Sequence, residues 1–222
     1  MVWIKICGIT NIYDAKKISD LGADALGFIL STDSPRRISE EKSDNIIMGL
    51  RKYCLSINRN MPLLVGVFVN EKIDRIFKFI DKKIFDFIQL SGKEAPDYIG
   101  AIRNYDSDIR IIKLIRISEY SKPDSIYKKI SSFTGSTDFF LIDTFKKGIY
   151  GGTGRSFNWN SVKNLGESFP IILAGGLEAC NVRKAIDIIK PFGVDASSRL
   201  EEYAGKKDIK KTGDFINAVR SV

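Results

Sequence analysis

The sequence predicts an α/β fold, a (β/α)8 barrel forming a single domain over residues 1–222. Three observations carry this expectation. Short runs rich in Ile, Val, Leu and Phe alternate with amphipathic helical patterns, the alternation that builds a parallel sheet. Eight such runs, each followed by a helix, fit the chain at about 28 residues per unit. An open doubly wound sheet would show a glycine fingerprint after its first strand, but here that run ends in Cys7-Gly8 with no G-x-G-x-x-G.

Taken in order, the strand at 2–6 leads to a helix at 11–20, which begins at a capping Asn11 and stops before Gly22. The strand at 24–29 leads to a helix at 39–53. Ser39 opens it, but Lys42 stands three residues on, so only the first half of a capping box is present. Strands at 63–68, 85–89, 110–115 and 138–142 precede helices at 71–82, 95–105, 123–133 and 160–165. Strands at 170–174 and 192–196 precede helices at 181–189 and 207–219. All eight strands read as buried on both faces. No linker or low-complexity segment interrupts the series.

Composition narrows the function. The chain is 44% hydrophobic and 28% charged, which suits a globular protein and not a disordered one. Cys7, Cys54 and Cys180 are odd in number and unpaired in spacing, as expected in a reducing compartment. The absence of His excludes a His-containing zinc site and any Ser-His or Cys-His pair. Acid–base chemistry therefore falls to Asp, Glu, Cys, Lys or Tyr. No apolar run reaches the ~20 residues of a membrane span, and MVWIKICGIT does not read as a signal peptide, so a cytoplasmic protein is expected. The net charge is +8, from 35 basic and 27 acidic residues. The basic residues are dispersed without aromatic interleaving, so an anionic small molecule is expected, not a nucleic acid or a membrane.

In a barrel the strand C-termini define the active face. Cys7 ends the first strand and shares a face with Lys5, whose ammonium would lower the thiol pKa and make it a base. An inert buried thiol is the alternative. Arg36, held behind Pro35, suits bidentate grip of a planar carboxylate, though it also reads as half of a surface Arg pair. Asp143 ends the sixth strand, a candidate general acid if burial raises its pKa, or a cap for the next loop. That loop, 145–158, contains Gly151-Gly152-Thr153-Gly154 and suggests a lid. Gly175-Gly176 and Ser197-Ser198 follow strands seven and eight, where bare N–H groups and hydroxyls suit phosphate; a tight turn and a helix cap would use the same residues. Together they imply a phosphorylated substrate with a second anionic group, isomerised by proton transfers without a metal.

KICGIT at 5–10, GADALGF at 22–28, SPR at 34–36, VGVFVN at 65–70, QLSG at 89–92, LIDT at 141–144, GGTGRSFNW at 151–159, AGGL at 174–177 and VDASS at 194–198 resemble the phosphoribosylanthranilate isomerases. These motifs run in the family's order along nearly the whole chain. The resemblance implies a single-domain TIM barrel of tryptophan biosynthesis, without cofactor, acting as a monomer or homodimer. It implies conversion of N-(5-phosphoribosyl)anthranilate to 1-(2-carboxyphenylamino)-1-deoxyribulose 5-phosphate by an Amadori rearrangement. Asp143 then matches the general acid, Cys7 the general base and Arg36 the carboxylate clamp. Gly175, Gly176 and Ser198 fall where the family binds phosphate.

Three positions depart from the pattern. Ser91 stands where the family usually has His, Asn158 where it usually has Asp, and Arg199 where it usually has Gly. If that Gly uses a positive φ, Arg199 should strain the loop; alternatively its guanidinium adds a phosphate contact. Two other readings stand beside this one. A related isomerase of histidine biosynthesis usually pairs two Asp residues, whereas position 7 is Cys here. A non-catalytic phosphosugar-binding barrel would bind ligand without turnover.

Overall fold

The computed structural model describes residues 1–31, 33–117, 121–143 and 159–222. Eight parallel strands form a closed barrel in sequence order: β1 (Trp3–Cys7), β2 (Ala25–Ile29), β3 (Leu63–Phe68), β4 (Phe87–Leu90), β5 (Arg110–Arg116), β6 (Phe139–Asp143), β7 (Ile171–Ala174) and β8 (Gly193–Ala196). The ring closes where β1 pairs with β8, from Trp3 opposite Gly193 to Ile6 opposite Ala196. Each strand lies within two residues of its expected position.

The helices α1 (Ile12–Asp20), α2 (Glu40–Ser56), α3 (Ile73–Asp81), α4 (Pro96–Tyr105), α5 (Pro123–Ser131), α6 (Leu165–Ser168), α7 (Val182–Ile189) and α8 (Ile209–Arg220) alternate with the strands. Asn11 caps α1 by accepting from the Asp14 N–H at 2.8 Å. Ser39 accepts from the Lys42 N–H at 3.1 Å, the half-box the sequence shows. C-terminal α8 packs against both α1 and α7.

Alternation along each strand produces two cores. Outward residues such as Ile4, Leu26, Phe28, Phe68 and Ile88 pack beneath the helices. Inward residues such as Cys7, Ala25, Val65, Ile112, Leu141 and Ile172 fill the barrel. Four rings plug its N-terminal end: Trp3 lies 6.0 Å from both Phe87 and Phe192, and Phe139 lies 5.9 Å from Phe87 and 4.7 Å from Phe192. An Asp preceding each of β2, β4 and β6 satisfies an N–H of the strand before it. Ile4 donates to Asp24 at 2.7 Å, Leu64 to Asp86 at 2.7 Å and Ile111 to Asp138 at 2.6 Å. This plugged end leaves the opposite mouth for chemistry.

Two local expectations are corrected. The helix expected at 160–165 is instead a 3₁₀ turn (Trp159–Val162) followed by α6. Asn164 between them is left-handed, φ +57°, and its N–H donates to the Ile188 carbonyl at 3.0 Å. Contact with the end of α7 thus overrides helical continuity. The helix expected at 207–219 begins only at Ile209, because a hairpin of β9 (Glu201–Tyr203) and β10 (Lys206–Lys207) precedes it. Its turn is held by Thr10, whose hydroxyl donates to the Gly205 carbonyl, and by the Lys207 N–H donating to Asp14 at 2.8 Å.

Candidate active site

A cavity of about 350 Å³ opens at the C-terminal mouth. Its walls include the six candidate catalytic and binding residues: Cys7 from β1, Arg36 from the loop after β2, Asp143 from β6, Gly175 and Gly176 after β7, and Ser198 after β8. The expected lid at 145–158, with Asn158, lies outside the described residues.

Cys7 is the last residue of β1, and its thiol is buried. Fully buried Lys5 lies one inward position below and donates to Asp195 Oδ1 at 2.8 Å. Gly27 is the Cα partner of Cys7 on β2. A Cβ there would sit 2.8 Å from Cys7 Sγ and 3.0 Å from Lys5 Nζ, so the missing side chain makes room for both groups. Burial works against the Lys5 charge, but Asp195 and the Cys7 sulfur outweigh it and hold the ammonium above its usual range. The thiol behaves otherwise than its neighbour alone suggests. Burial pushes its pKa up, and the pull of Lys5 and Lys207 does not reverse this. The expected lowering is therefore corrected: Lys5 opposes the burial penalty without overcoming it.

Asp143, half-buried, pairs in register with Arg116 of β5 and Ala174 of β7. Arg116 also lines the cavity, so a cation stands beside the candidate acid. Gly175 and Gly176 are left-handed, φ +94° and +69°, conformations that favour glycine, and both line the cavity. Asn181 braces this turn, donating to the Gly176 carbonyl at 3.0 Å and accepting from the Glu178 N–H at 2.9 Å. Ser198 is exposed and opens a 3₁₀ turn, Ser198–Leu200. Arg199 lies in this turn and is not among the left-handed residues, so the strain considered for it does not arise. Its exposed side chain lines the cavity and has no ion pair among the described residues.

Arg36 does line the cavity, but one edge of its guanidinium is already used. Nε donates to Glu201 Oε1 at 2.8 Å and Nη2 to Glu201 Oε2 at 2.6 Å. Its stem crosses the turn after β1 at Gly8, φ +80°, where a Cβ would lie 2.7 Å from Arg36 Cδ. Burial disfavours the Glu201 carboxylate, yet Arg36 and Lys207 together hold its pKa below the usual range.

Sequence reasoning gave no site role to Glu201, Lys207, Asp195 or Gln89. Strand alternation would have turned Gln89 and Asp195 inward. Gln89 is buried and donates from Nε2 to Ser91 Oγ at 3.0 Å. Its Oε1 has no partner among the described residues, which leaves an acceptor on the cavity wall.

A family model described as N-(5'phosphoribosyl)anthranilate (PRA) isomerase matches residues 4–218. This chain belongs to the phosphoribosylanthranilate isomerase family. An N-(5'-phosphoribosyl)anthranilate isomerase of Pelobacter propionicus is 37% identical over 220 residues, covering 99% of this chain and 96% of that protein. The crystal structure of phosphoribosyl anthranilate isomerase from Thermotoga maritima superposes with a TM-score of 0.83 at 34% identity, covering 100% of both chains. A further structure of such an isomerase, in complex with reduced 1-(o-carboxyphenylamino)-1-deoxyribulose 5-phosphate, has a TM-score of 0.81 at 31% identity and 100% coverage of both. The phosphoribosylanthranilate isomerase family thus supplies both the fold and the reaction class: the chain is an isomerase of tryptophan biosynthesis.

Proposed function

We propose that Asp143 and Cys7 act as the acid and base of an Amadori rearrangement of N-(5-phosphoribosyl)anthranilate. The observation that carries this is their placement in one cavity, on strands β6 and β1, with Arg36 and the turns after β7 and β8 in the same walls. The chain would act in the cytoplasm as one barrel domain over 1–222, on a phosphorylated small molecule and without a nucleic acid partner, as a monomer or homodimer. Among the described residues no helix is long and apolar enough to cross a membrane.

The carboxylate of the substrate meets Arg36, and its phosphate meets the backbone N–H groups near Gly175, Gly176 and Ser198. Anchored at both ends, the ribose lies between acid and base. Asp143 donates its proton to the furanose oxygen as the C1′–O bond breaks, and the anilino nitrogen lone pair forms the C1′=N bond of a Schiff base. Cys7 removes the C2′ proton, and those electrons form C1′=C2′ while the nitrogen recovers its pair. The enolamine then tautomerises: the C2′ hydroxyl becomes the ketone and C1′ takes a proton. Lys5 stabilises the thiolate that the base step requires.

The test is loss of substrate fluorescence on freshly generated phosphoribosylanthranilate, comparing wild type with Cys7→Ser and Asp143→Asn. Turnover that collapses in both variants supports the assignment. Full turnover in either variant removes that residue from its role, and ligand binding without turnover in wild type would leave a non-catalytic barrel.

A further inference from the structure

The β9–β10 hairpin stands outside the eightfold repeat, yet it carries a deeply buried ion pair at the mouth. The Lys207 side chain is fully buried and that of Glu201 is 3% exposed. Such groups persist only when their charges and hydrogen bonds are matched. Lys207 Nζ donates to Glu201 Oε1 at 3.0 Å and to the Ser197 carbonyl at 3.2 Å. Ser197 Oγ in turn donates to the Cys7 carbonyl at 2.9 Å. Glu201 completes the chain through its forked bond to Arg36.

A guanidinium offers two forked edges in one rigid plane. Glu201 occupies the edge made by Nε and Nη2. The edge made by Nη1 and the second Nη2 hydrogen remains for the cavity that Arg36 lines. Two cations and one carboxylate leave the trio with one net positive charge, so Arg36 still attracts an anion. Gly8 gives the Arg36 stem room to pass, because a Cβ there would lie 2.7 Å from Arg36 Cδ.

We propose that Glu201 is a positioning residue for recognition of the substrate carboxylate. By taking one edge of Arg36 it fixes the angle at which the other edge meets a planar carboxylate. Through Lys207 and Ser197 it ties that clamp to the strand end bearing Cys7. The site then favours an arylamine with an ortho carboxylate over a neutral aniline, because only the former satisfies a pre-aimed fork. This inference rests on Arg36 being the carboxylate clamp.

Steady-state kinetics on phosphoribosylanthranilate, with inorganic phosphate as a competing inhibitor, test it. Glu201→Gln should raise KM roughly tenfold, with kcat within about twofold and the phosphate Ki unchanged. Glu201→Asp, which keeps the charge, should recover part of the loss. Since Glu201→Gln strands Lys207 in the interior, the double variant Glu201→Met with Lys207→Met removes the pair together, and it should show the same KM defect with a retained thermal transition. If Arg36→Met raises KM while every Glu201 variant leaves it unchanged, the positioning role is overturned and the clamp stands. If Arg36→Met leaves KM unchanged, the clamp itself fails and the inference with it. A parallel fall in kcat and weakening of phosphate inhibition would make Glu201 a structural brace only.

Discussion

Gly27 offers a direct trial of whether the position of the thiol matters. A Cβ at this position would lie 2.8 Å from Cys7 Sγ and 3.0 Å from Lys5 Nζ. Contacts this short require one partner to move. Lys5 is fully buried and tied to Asp195, so it has little freedom. Cys7 can rotate about χ1, which relieves the clash and displaces the sulfur. Overpacking of this kind costs about 1–3 kcal/mol. At about 2–4 °C per kcal/mol for a chain of this size, Tm falls by roughly 2–12 °C. The catalytic loss should be larger, because a base misplaced by about 1 Å can lower rate on the order of 100-fold. Gly66 supplies the control. A Cβ there would meet Phe68 and Phe85 at 3.0 Å on the outer face of β3, turned away from the cavity. Gly66→Ala should lower Tm comparably and leave kcat intact, whereas Gly27→Ala should lower kcat about 100-fold with KM little changed. Equal kcat in the two variants, despite a lowered Tm in both, would refute the argument that Gly27 exists to seat the base.

Two further outcomes follow from the charges around the site. Lys5→Met removes a cation that draws the thiol pKa down, so the rising limb of kcat/KM should move to higher pH and activity at pH 7 should fall about tenfold. The same variant leaves Asp195 buried without its partner, which costs about 3–5 kcal/mol and is read separately by thermal melting; an unmoved pH limb would discard Lys5 as the group that stabilises the thiolate. Arg199→Gly should weaken competitive inhibition by inorganic phosphate roughly fivefold at low ionic strength, and less in high salt, because the side chain is exposed. An unchanged Ki at low salt would show that Arg199 does not reach the phosphate.

The barrel was legible because its strands are buried on both faces. Ile4 and Ile6 face the helices while Lys5 and Cys7 face inward, and both sets are buried. A run with no polar face is what a parallel strand produces, so eight such runs were enough. Legibility ended where tertiary contact decides local form. Asn164 turns left-handed to meet Ile188, which no propensity at 160–165 foretells. The hairpin sequence Glu201 to Lys207 is short, charged and lacks alternation. It pairs because Thr10, Asp14 and Arg36 receive it, and these lie near the other end of the chain.

The site divides along the same line. Cys7, Asp143, Gly175, Gly176 and Ser198 could be picked out because barrel topology assigns meaning to the ends of strands, independent of their partners. Glu201 could not, since its partner Arg36 is 165 residues away and neither sequence context announces the other. The thiol shows the sharper limit. A cation two residues from Cys7 on the same strand face argues for a lowered pKa, and that cation is there. The opposing force, removal of water from both groups by the packed barrel, is a property of the closed ring and appears in no local pattern. Because burial wins, the proton on Cys7 is held more tightly than in water, against the pull of the adjacent ammonium. The base step therefore depends on that ammonium to favour the thiolate. The fully buried Lys5, held to Asp195 beside it, keeps that charge in place.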